Sequence, residues 1–246
     1  EYALSDELDR QILPDGGHLS RNPRILIELL LDLLPLRETF LARGIEPPRG
    51  VLMAIERMMP HLRLFRHGDG ALALFNGMGT TPPDVMATLA AYDDARARPI
   101  EQATYSGYSR LTGERGIVVI DAGAPPRGAH SVEAHAGCLS FEFSSGAQRL
   151  VVNCGTSRFG SDALRLAARS TAAHSTLTLD DRSSATFGRV LGEMRVVAGP
   201  SDVRVARQER EEGQEWVGSH DGYSRALGAV HTRRLLLARD GATLTG

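Results

Sequence analysis

The histidines of this sequence are the side chains best suited to proton transfer or metal binding. His135 comes just before a run of alternating apolar and polar residues, and His174 lies in a Thr-Ala-Ala-His-Ser-Thr segment ahead of another apolar run. His18 follows a Gly-Gly turn before a helix, and His67 lies in a turn after a helix. Imidazole can exchange a proton near neutral pH and is the commonest metal ligand in proteins. The sequence therefore predicts acid–base or metal chemistry at one or more of these positions.

A β-hairpin must position two of these polar groups. Apolar residues alternate with polar ones on both sides of Gly146-Ala147, and glycine at the first central position suits a type II′ turn. In the register that this turn predicts, the facing pairs are Phe143 with Leu150, Phe141 with Val152 and Leu139 with Cys154. The hairpin then holds His135 at its open end, where Asn153 returns to the same rim.

Each candidate also has a structural explanation, and these alternatives stay open. His135 and His174 could tie loops to the sheet, His18 could be an ordinary turn residue, and His67 with Asp69 could form a helix-ending turn. Other polar candidates have similar alternatives: Arg63 and Arg66 as helix-end arginines, Tyr108 in packing where two regions meet, and His220 before an Asp-Gly turn.

Composition indicates a globular chain and argues against several classes of function. Of 246 residues, 42% are hydrophobic and 24% charged, and the formal net charge is -2. A general nucleic-acid binder would carry a basic surface, so no nucleic-acid partner is expected. The longest apolar run, near residues 25–36, is interrupted by Glu28 and Asp32 and predicts no membrane span. All 28 basic residues are arginine. The two cysteines, Cys138 and Cys154, are predicted to be buried on opposite sheet faces without a disulfide.

Helix and strand signals divide the chain near residue 100. Residues 1–99 read as helices, with starts at Asn22-Pro23, Pro47-Pro48 and Pro82-Pro83, the last running to about Arg98. Residues 100–246 read as short strands separated by turns, which is typical of an antiparallel sandwich. Besides the hairpin, strands are predicted at 117–121, 177–180, 190–198, 203–207, 215–219 and 232–238, with a short helix within 158–169.

Four segments in this order resemble one family. They are Asp15-Gly-Gly-His18, His135-Ala-x-x-Leu-Ser-Phe141, Val152-Asn-x-Gly155 and Arg169-x-Thr-Ala-Ala-His-Ser-Thr176. Together they resemble the heparinase II/III-like polysaccharide lyases. The resemblance implies an α+β multidomain fold, in which 1–99 is the C-terminal part of an (α/α) toroid and 100–246 an antiparallel β-sandwich that is truncated here.

The resemblance also implies a chemistry, which is β-elimination on a uronic-acid-containing, acidic polysaccharide in the periplasm or cell envelope. Such a lyase neutralises the carboxylate and moves protons at neighbouring carbons. By resemblance, His18 neutralises the carboxylate, His67 is the acid or base, and His135 acts from the sandwich side with support from His174. The predicted substrate contacts are Arg63, Arg66, Asp69, Tyr108, Glu133 and His220. A zinc ion is implied at His135, Asn153 and His174. The oligomeric state is left open.

The sequence departs from the family pattern at several of these positions. Glu133 stands where some members have a catalytic histidine, Gly137 and Asn153 stand where they have aspartates, and no tyrosine lies near His67. A neutral amide is a poor zinc ligand beside a carboxylate. Two alternatives to the lyase therefore remain, a carbohydrate-binding relative without catalysis and a structural or assembly module.

Overall fold

The first part of the computed structural model is helical, and the structure describes residues 2–92, 98–156 and 159–246. Its helices are α1 (Tyr2–Gln11), α2 (Pro23–Ala42), α3 (Arg49–Leu64) and α4 (Pro83–Ala91), and α3 packs against both α1 and α2. The predicted start of α2 is confirmed, since the Asn22 side chain accepts a hydrogen bond from the Arg24 N–H at 2.9 Å. The predicted extension of α4 towards Arg98 falls on residues 93–97, outside the described residues.

The remainder of the chain forms antiparallel sheets. One sheet has the order β1-β2-β3-β4-β5, a second has the order β11-β10-β9-β8, and β6 pairs with β7 alone. The strands are β1 (Gln102–Ala103), β2 (Tyr108–Thr112), β3 (Gly116–Asp121), β4 (Phe141–Ser145), β5 (Gln148–Val151), β6 (Thr186–Val190), β7 (Glu193–Ala198), β8 (Val203–Glu209), β9 (Gly213–His220), β10 (His231–Ala238) and β11 (Leu244–Thr245). Two short helices, α5 (Asp162–Arg169) and α6 (Ser224–Leu227), lie in the connections.

The five-stranded sheet is buried on both faces, which explains the continuous apolar run of β3. Val118 and Ile120 pack with Trp216 of the four-stranded sheet, whereas Val119 packs with the helices. Alternate residues of one strand thus belong to two cores, and a strand covered on both sides needs apolar residues at every position. Each fully buried aliphatic side chain stabilises the fold by about 1.5–3 kcal/mol. The two main sheets form a sandwich, and the helices cover its outer face.

The fold class predicted from the sequence is confirmed at this coarser level, as helices followed by antiparallel sheets. A closed ring of helices is not present among the described residues, so the toroid stays a prediction, as does the domain boundary near residue 100. Two strand predictions are corrected. Residues 177–180 form only an isolated bridge from Leu179 to Arg182, and 190–198 contains the turn between β6 and β7, which centres on Leu191 and Gly192.

The predicted hairpin exists, but its register is wrong. Ser145 pairs with Gln148 across the two-residue turn, and Gly146 has the positive φ of 54° that the turn type requires. A bulge then places Phe143 opposite Val151, and Leu139 lies in a turn with φ 62°. As a result Leu150 and Val152 are 58% and 51% exposed, and Cys154 is exposed where burial was expected. Both cysteines are free, as predicted.

Candidate functional site

A buried polar cluster joins the start of α2 to the five-stranded sheet. The Arg21 guanidinium donates to the Asp121 carboxylate at 2.6 Å and to the carbonyls of Ser106, Gly107, Gly123 and Ala124. Asn76 donates to the other Asp121 oxygen at 3.0 Å and to the Tyr108 hydroxyl at 2.7 Å. Arg21 itself is in the left-handed region, with φ 58°. We call Arg21, Asn76, Tyr108 and Asp121 the junction cluster.

The junction cluster is hydrogen-bonded to His135, one of the predicted catalytic histidines. The Asn76 side-chain oxygen accepts the His135 backbone N–H at 3.1 Å, and the next N–H, that of Gly77, donates to His135 Nε2 at 3.1 Å. The Thr156 hydroxyl lies 2.9 Å from the same nitrogen. Because Nε2 accepts a backbone N–H, the proton of the ring must be on Nδ1.

His135 and His174 form a hydrogen-bonded pair, with 2.9 Å between His135 Nδ1 and His174 Nε2. His174 Nδ1 lies 2.7 Å from the Ser170 carbonyl oxygen, which can only accept, so His174 carries its proton there. Every nitrogen of the pair is thereby used inside the protein. Burial lowers the pKa of His135 well below its usual range, with His174 and Arg169 lowering it further, and burial also lowers the pKa of His174. The pair is neutral and has no lone pair directed at a substrate.

The His135–His174 pair does not fit a zinc site. His135 Nδ1 carries a proton and not a lone pair, because Nε2 of the same ring accepts the Gly77 N–H, and the Asn153 side-chain oxygen is already used by the Ser175 N–H at 3.0 Å. No cluster of three histidine, cysteine, aspartate or glutamate side chains with metal-binding geometry occurs within the described residues. Gly137 leaves no room for the family's aspartate, because a Cβ there would lie 2.9 Å from the His174 ring. No step of a mechanism is therefore assigned to a metal.

His67 lies in a separate buried cluster beneath the sheet. Its Nε2 is 3.1 Å from Glu142 Oε2, its Nδ1 is 2.8 Å from the Ser144 hydroxyl, and the side chains of His67 and Glu142 are 0% exposed. Glu142 also accepts the backbone N–H groups of Leu74 and Asn153. The order serine, histidine, carboxylate is that of a nucleophilic triad, but Ser144 is also fully buried, so no substrate reaches it.

His18 is likewise held by its neighbours. Its Nδ1 lies 2.7 Å from the Ser20 hydroxyl and accepts the Ser20 N–H at 3.1 Å, and its Nε2 lies 2.8 Å from Gln11 Oε1. Burial, with a smaller effect of His130, lowers the pKa of His18 to about 4. The ring is 7% exposed, so it fixes the loop before α2 rather than facing a cleft.

Four of the predicted substrate contacts lie in different parts of the structure. Glu133 is exposed and accepts a 2.6 Å hydrogen bond from Asn22. Arg63 and Arg66 line a minor cavity between α3 and α4, away from the histidines. Asp69 forms a 2.9 Å salt bridge with Arg149.

Burial argues against the two remaining predicted substrate contacts. The hydroxyl of Tyr108 donates to the Arg21 carbonyl at 2.6 Å, and its ring is inaccessible to a sugar. His220 is 1% exposed and lies 3.1 Å from His231.

One cavity of about 500 Å³ is lined by two of the predicted site residues, Glu133 and His135. Glu133, His135 and Thr156 lie on one side, α5 forms a wall, and the β6–β7 hairpin lies opposite. Its described lining includes three carboxylates and three guanidinium groups, namely those of Glu133, Asp162, Glu193, Arg165, Arg169 and Arg189. Arg169 is not free for a ligand, because it donates to the carbonyls of Ala134, Ser131 and Met194. The cavity could hold one sugar ring or a short side chain, but its charges are balanced.

Sequence reasoning missed the residues that carry most of this organisation. Arg21, Asn76, Asp121 and Glu142 were not candidates, although two of them occur in turns with positive φ, Arg21 at 58° and Asn76 at 43°. Left-handed backbone at residues other than glycine is uncommon, but it is visible only in the structure. The one sequence signal was Asp121, a carboxylate at the end of an otherwise apolar strand. None of the described helices is both long enough and apolar enough to cross a membrane.

Comparisons with known proteins agree on the fold and differ in the functions that they name. The chain is 38% identical over 245 residues to the FtsZ-localized protein C of Caulobacter vibrioides (strain NA1000 / CB15N), covering 96% of this chain and 41% of that protein. The heparan sulfate lyase HepC from Pedobacter heparinus matches at TM-score 0.69 and 17% identity, covering 97% of this chain and 39% of that one. A heparinase III structure matches at a TM-score of 0.74 and 17% identity, covering 97% of this chain and 39% of that chain.

The chain thus spans about two fifths of the length of these relatives. At such low identity the solved structures establish the fold alone. A family model described as "Heparinase II/III-like, C-terminal" matches residues 95–246, more than half of the chain. The order of helices and sheets, the four sequence segments and this match agree, and the chain belongs to the heparinase II/III-like C-terminal family.

Proposed function

We propose that this chain is an assembly module built on the heparinase II/III-like fold, without lyase activity of its own, and that it localises with FtsZ. The observation that carries the proposal is shared by His18, His67, His135 and His174. Each has both ring nitrogens in hydrogen bonds to protein atoms, and each is at most 9% exposed. General acids and bases must reach the proton that they transfer.

The same contacts explain why these histidines stabilise the fold without catalysis. His135 joins the segment after Asn76 to the loop that carries His174, and His67 joins the turn after α3 to β4. Satisfied buried polar networks fix a unique arrangement of loops, so their residues remain useful after an activity is lost. The relative that is 38% identical is named for its localisation with FtsZ, which supports a role in assembly rather than in polymer degradation.

Polysaccharide cleavage is the second candidate, and the 500 Å³ cavity favours it. Glu133 there is an exposed carboxylate at the position where some family members have a catalytic histidine, and Arg165 and Arg189 line the same cavity. In this candidate an acidic polysaccharide binds the arginines and Glu133 takes the proton during β-elimination. The family resemblance then also predicts export to the periplasm or cell envelope.

Two measurements on the full-length protein separate the candidates. The first follows the ultraviolet absorbance of unsaturated uronates during incubation with a panel of acidic polysaccharides. The assembly proposal predicts no rise. A rise that disappears in Glu133→Gln, with folding confirmed by circular dichroism, would contradict it and establish the lyase. Glu133 is exposed, so this variant avoids the folding defect expected of a histidine substitution.

The second measurement follows a fluorescent fusion of the protein in cells. We expect its signal to coincide with FtsZ and to disperse when FtsZ is depleted. The matched variant His135→Ala should disperse it through unfolding, and Glu133→Gln should leave it in place. Uniform periplasmic fluorescence that stays the same when FtsZ is depleted would contradict the proposal.

A further inference from the structure

A second and larger cavity adjoins the one beside Glu133, and Ala163 and Leu166 of α5 line both. Its volume is about 1440 Å³, and its walls come from α5, the Pro125-Pro126 segment, β6 with β7, and α6. Pockets for small molecules usually measure about 300–1,000 Å³, so this one has room for a longer ligand. We call it the arginine groove, for the three arginines on its rim, Arg127, Arg182 and Arg225.

The walls of the arginine groove are largely apolar. Leu166 of α5 and Phe187 and Val196 of the β6–β7 hairpin are half-buried, and Val197 is 53% exposed. These residues belong to α5 and to the β6–β7 sheet, which is paired with no further strand within the described residues. A contiguous apolar surface open to solvent is typical of an interaction site.

The charges of the arginine groove are positive and unbalanced. Arg127 and Arg225 are exposed and form no ion pair within the described part of the chain, whereas Arg182 forms an exposed salt bridge with Asp180 at 3.5 Å. Among the described residues of the lining, the single carboxylate is that of Asp221, which already accepts the N–H groups of Ser201 and Asp202. Free guanidinium groups around an apolar floor match a ligand with carboxylates beside apolar side chains.

We propose that the arginine groove docks an acidic, amphipathic peptide segment of a partner protein. The apolar side chains of the peptide cover Leu166, Phe187 and Val197, and the carboxylates of the peptide pair with Arg127 and Arg225. An acidic polysaccharide could use the arginines, but it would leave the aliphatic floor exposed. The groove shares only Ala163 and Leu166 with the lining of the cavity beside Glu133 among the described residues. Peptide binding in the groove is independent of whether the chain localises with FtsZ.

The test uses three short fluorescein-labelled peptides and fluorescence anisotropy. One alternates glutamate with leucine, one alternates lysine with leucine, and one alternates glutamate with serine. We expect the glutamate–leucine peptide to bind most tightly, with an affinity that falls as salt is added, because the rim arginines are exposed to solvent. Equal binding of the lysine–leucine peptide, or of the glutamate–serine peptide, would overturn the proposal.

Two sets of variants assign the binding to the arginine groove. The double variant Arg127→Glu/Arg225→Glu should weaken the glutamate–leucine peptide by about tenfold or more, since each rim charge changes sign. Ala167→Glu, an exposed position of α5 in the groove wall, should also weaken it. Arg43→Glu/Arg98→Glu is the matched control, because it changes the net charge equally at exposed arginines outside the groove.

Three outcomes would overturn the proposal at this stage. Affinity unchanged in Arg127→Glu/Arg225→Glu would place the peptide elsewhere. A heparin fragment that binds with the same sensitivity to these variants, while the peptide does not bind, would assign the groove to carbohydrate. A lower melting temperature of the double variant without any peptide binding would show that another part of the protein's own chain fills the groove.

Discussion

Arginine has opposite roles in the junction cluster and in the arginine groove. Arg21 is 8% exposed, and its guanidinium donates to four carbonyls and one carboxylate. Arg127 and Arg225 are exposed and make no ion pair within the described part of the chain. A buried cation needs all its donors satisfied, whereas a surface cation costs little when left free. The same residue type therefore stabilises the fold in one region and is available for binding in the other.

Arg21→Met tests the role of the buried arginine directly. We expect it to lower the free energy of unfolding by about 3–5 kcal/mol, because it leaves the Asp121 carboxylate buried without its cation and removes the donors of four carbonyls. Chemical denaturation followed by circular dichroism measures the change. The matched control is Arg10→Met, since Arg10 pairs with Glu7 on the surface, where the side chains are 71% and 46% exposed.

The control should change stability by no more than about 0.5 kcal/mol. Similar losses for Arg21→Met and Arg10→Met would mean that the junction cluster contributes no more than a surface ion pair. In that case the contrast between the two classes of arginine would have no energetic basis.

Local signals explain which parts of the fold the sequence predicted. The start of α2 was predicted because Asn22 and Pro23 act on their own backbone, and β3 was predicted because its four apolar residues are contiguous. The hairpin register was missed because it depends on contacts from elsewhere. The Leu139 N–H donates to the Asp121 carbonyl at 2.7 Å, which fixes a left-handed turn where a strand was expected.

The sequence likewise predicted some features of the candidate site and not others. His135 and His174 were expected together and are in hydrogen-bond contact, because the hairpin returns the chain to one rim. Their mutual hydrogen bond could not be predicted, since it depends on the Ser170 carbonyl and the Gly77 N–H fixing both tautomers. Arg21 gave no signal at all, because its partners lie 85 to 103 residues away along the chain. Long-range polar contacts leave no local pattern in a single sequence.

Acid should weaken the interior while leaving the arginine groove unchanged. Burial is the main cause that lowers the pKa of His18, His220 and His231 to about 4, from an ordinary value near 6.5. The unfolded chain therefore takes up these protons first as the pH falls. The stability that the neutral rings provide is complete above about pH 6.5 and is lost progressively towards pH 4.

Each such histidine contributes up to about 1.4 kcal/mol of destabilisation per pH unit in that interval, less where solvent reaches the ring. Unfolding by urea at pH 7, 6 and 5 measures the slope, and His220→Gln/His231→Gln should make it shallower. Stability that stays constant from pH 7 to pH 5 would contradict the neutral, buried state of these rings.

Removing either exposed arginine of the groove should hardly change the stability of the fold. Arg127→Ala and Arg225→Ala should each change the free energy of unfolding by no more than about 0.5 kcal/mol, because neither side chain has an ion-pair partner within the described residues. Chemical denaturation under the conditions used for Arg21→Met provides the measurement, and the Arg43→Ala variant provides the baseline for an exposed arginine outside the groove. A loss above 1 kcal/mol for either groove arginine, relative to Arg43→Ala, would mean that it supports the fold. The division between arginines that stabilise and arginines that bind would then fail at the groove, while unchanged stability together with lost peptide affinity would assign these two side chains to binding alone.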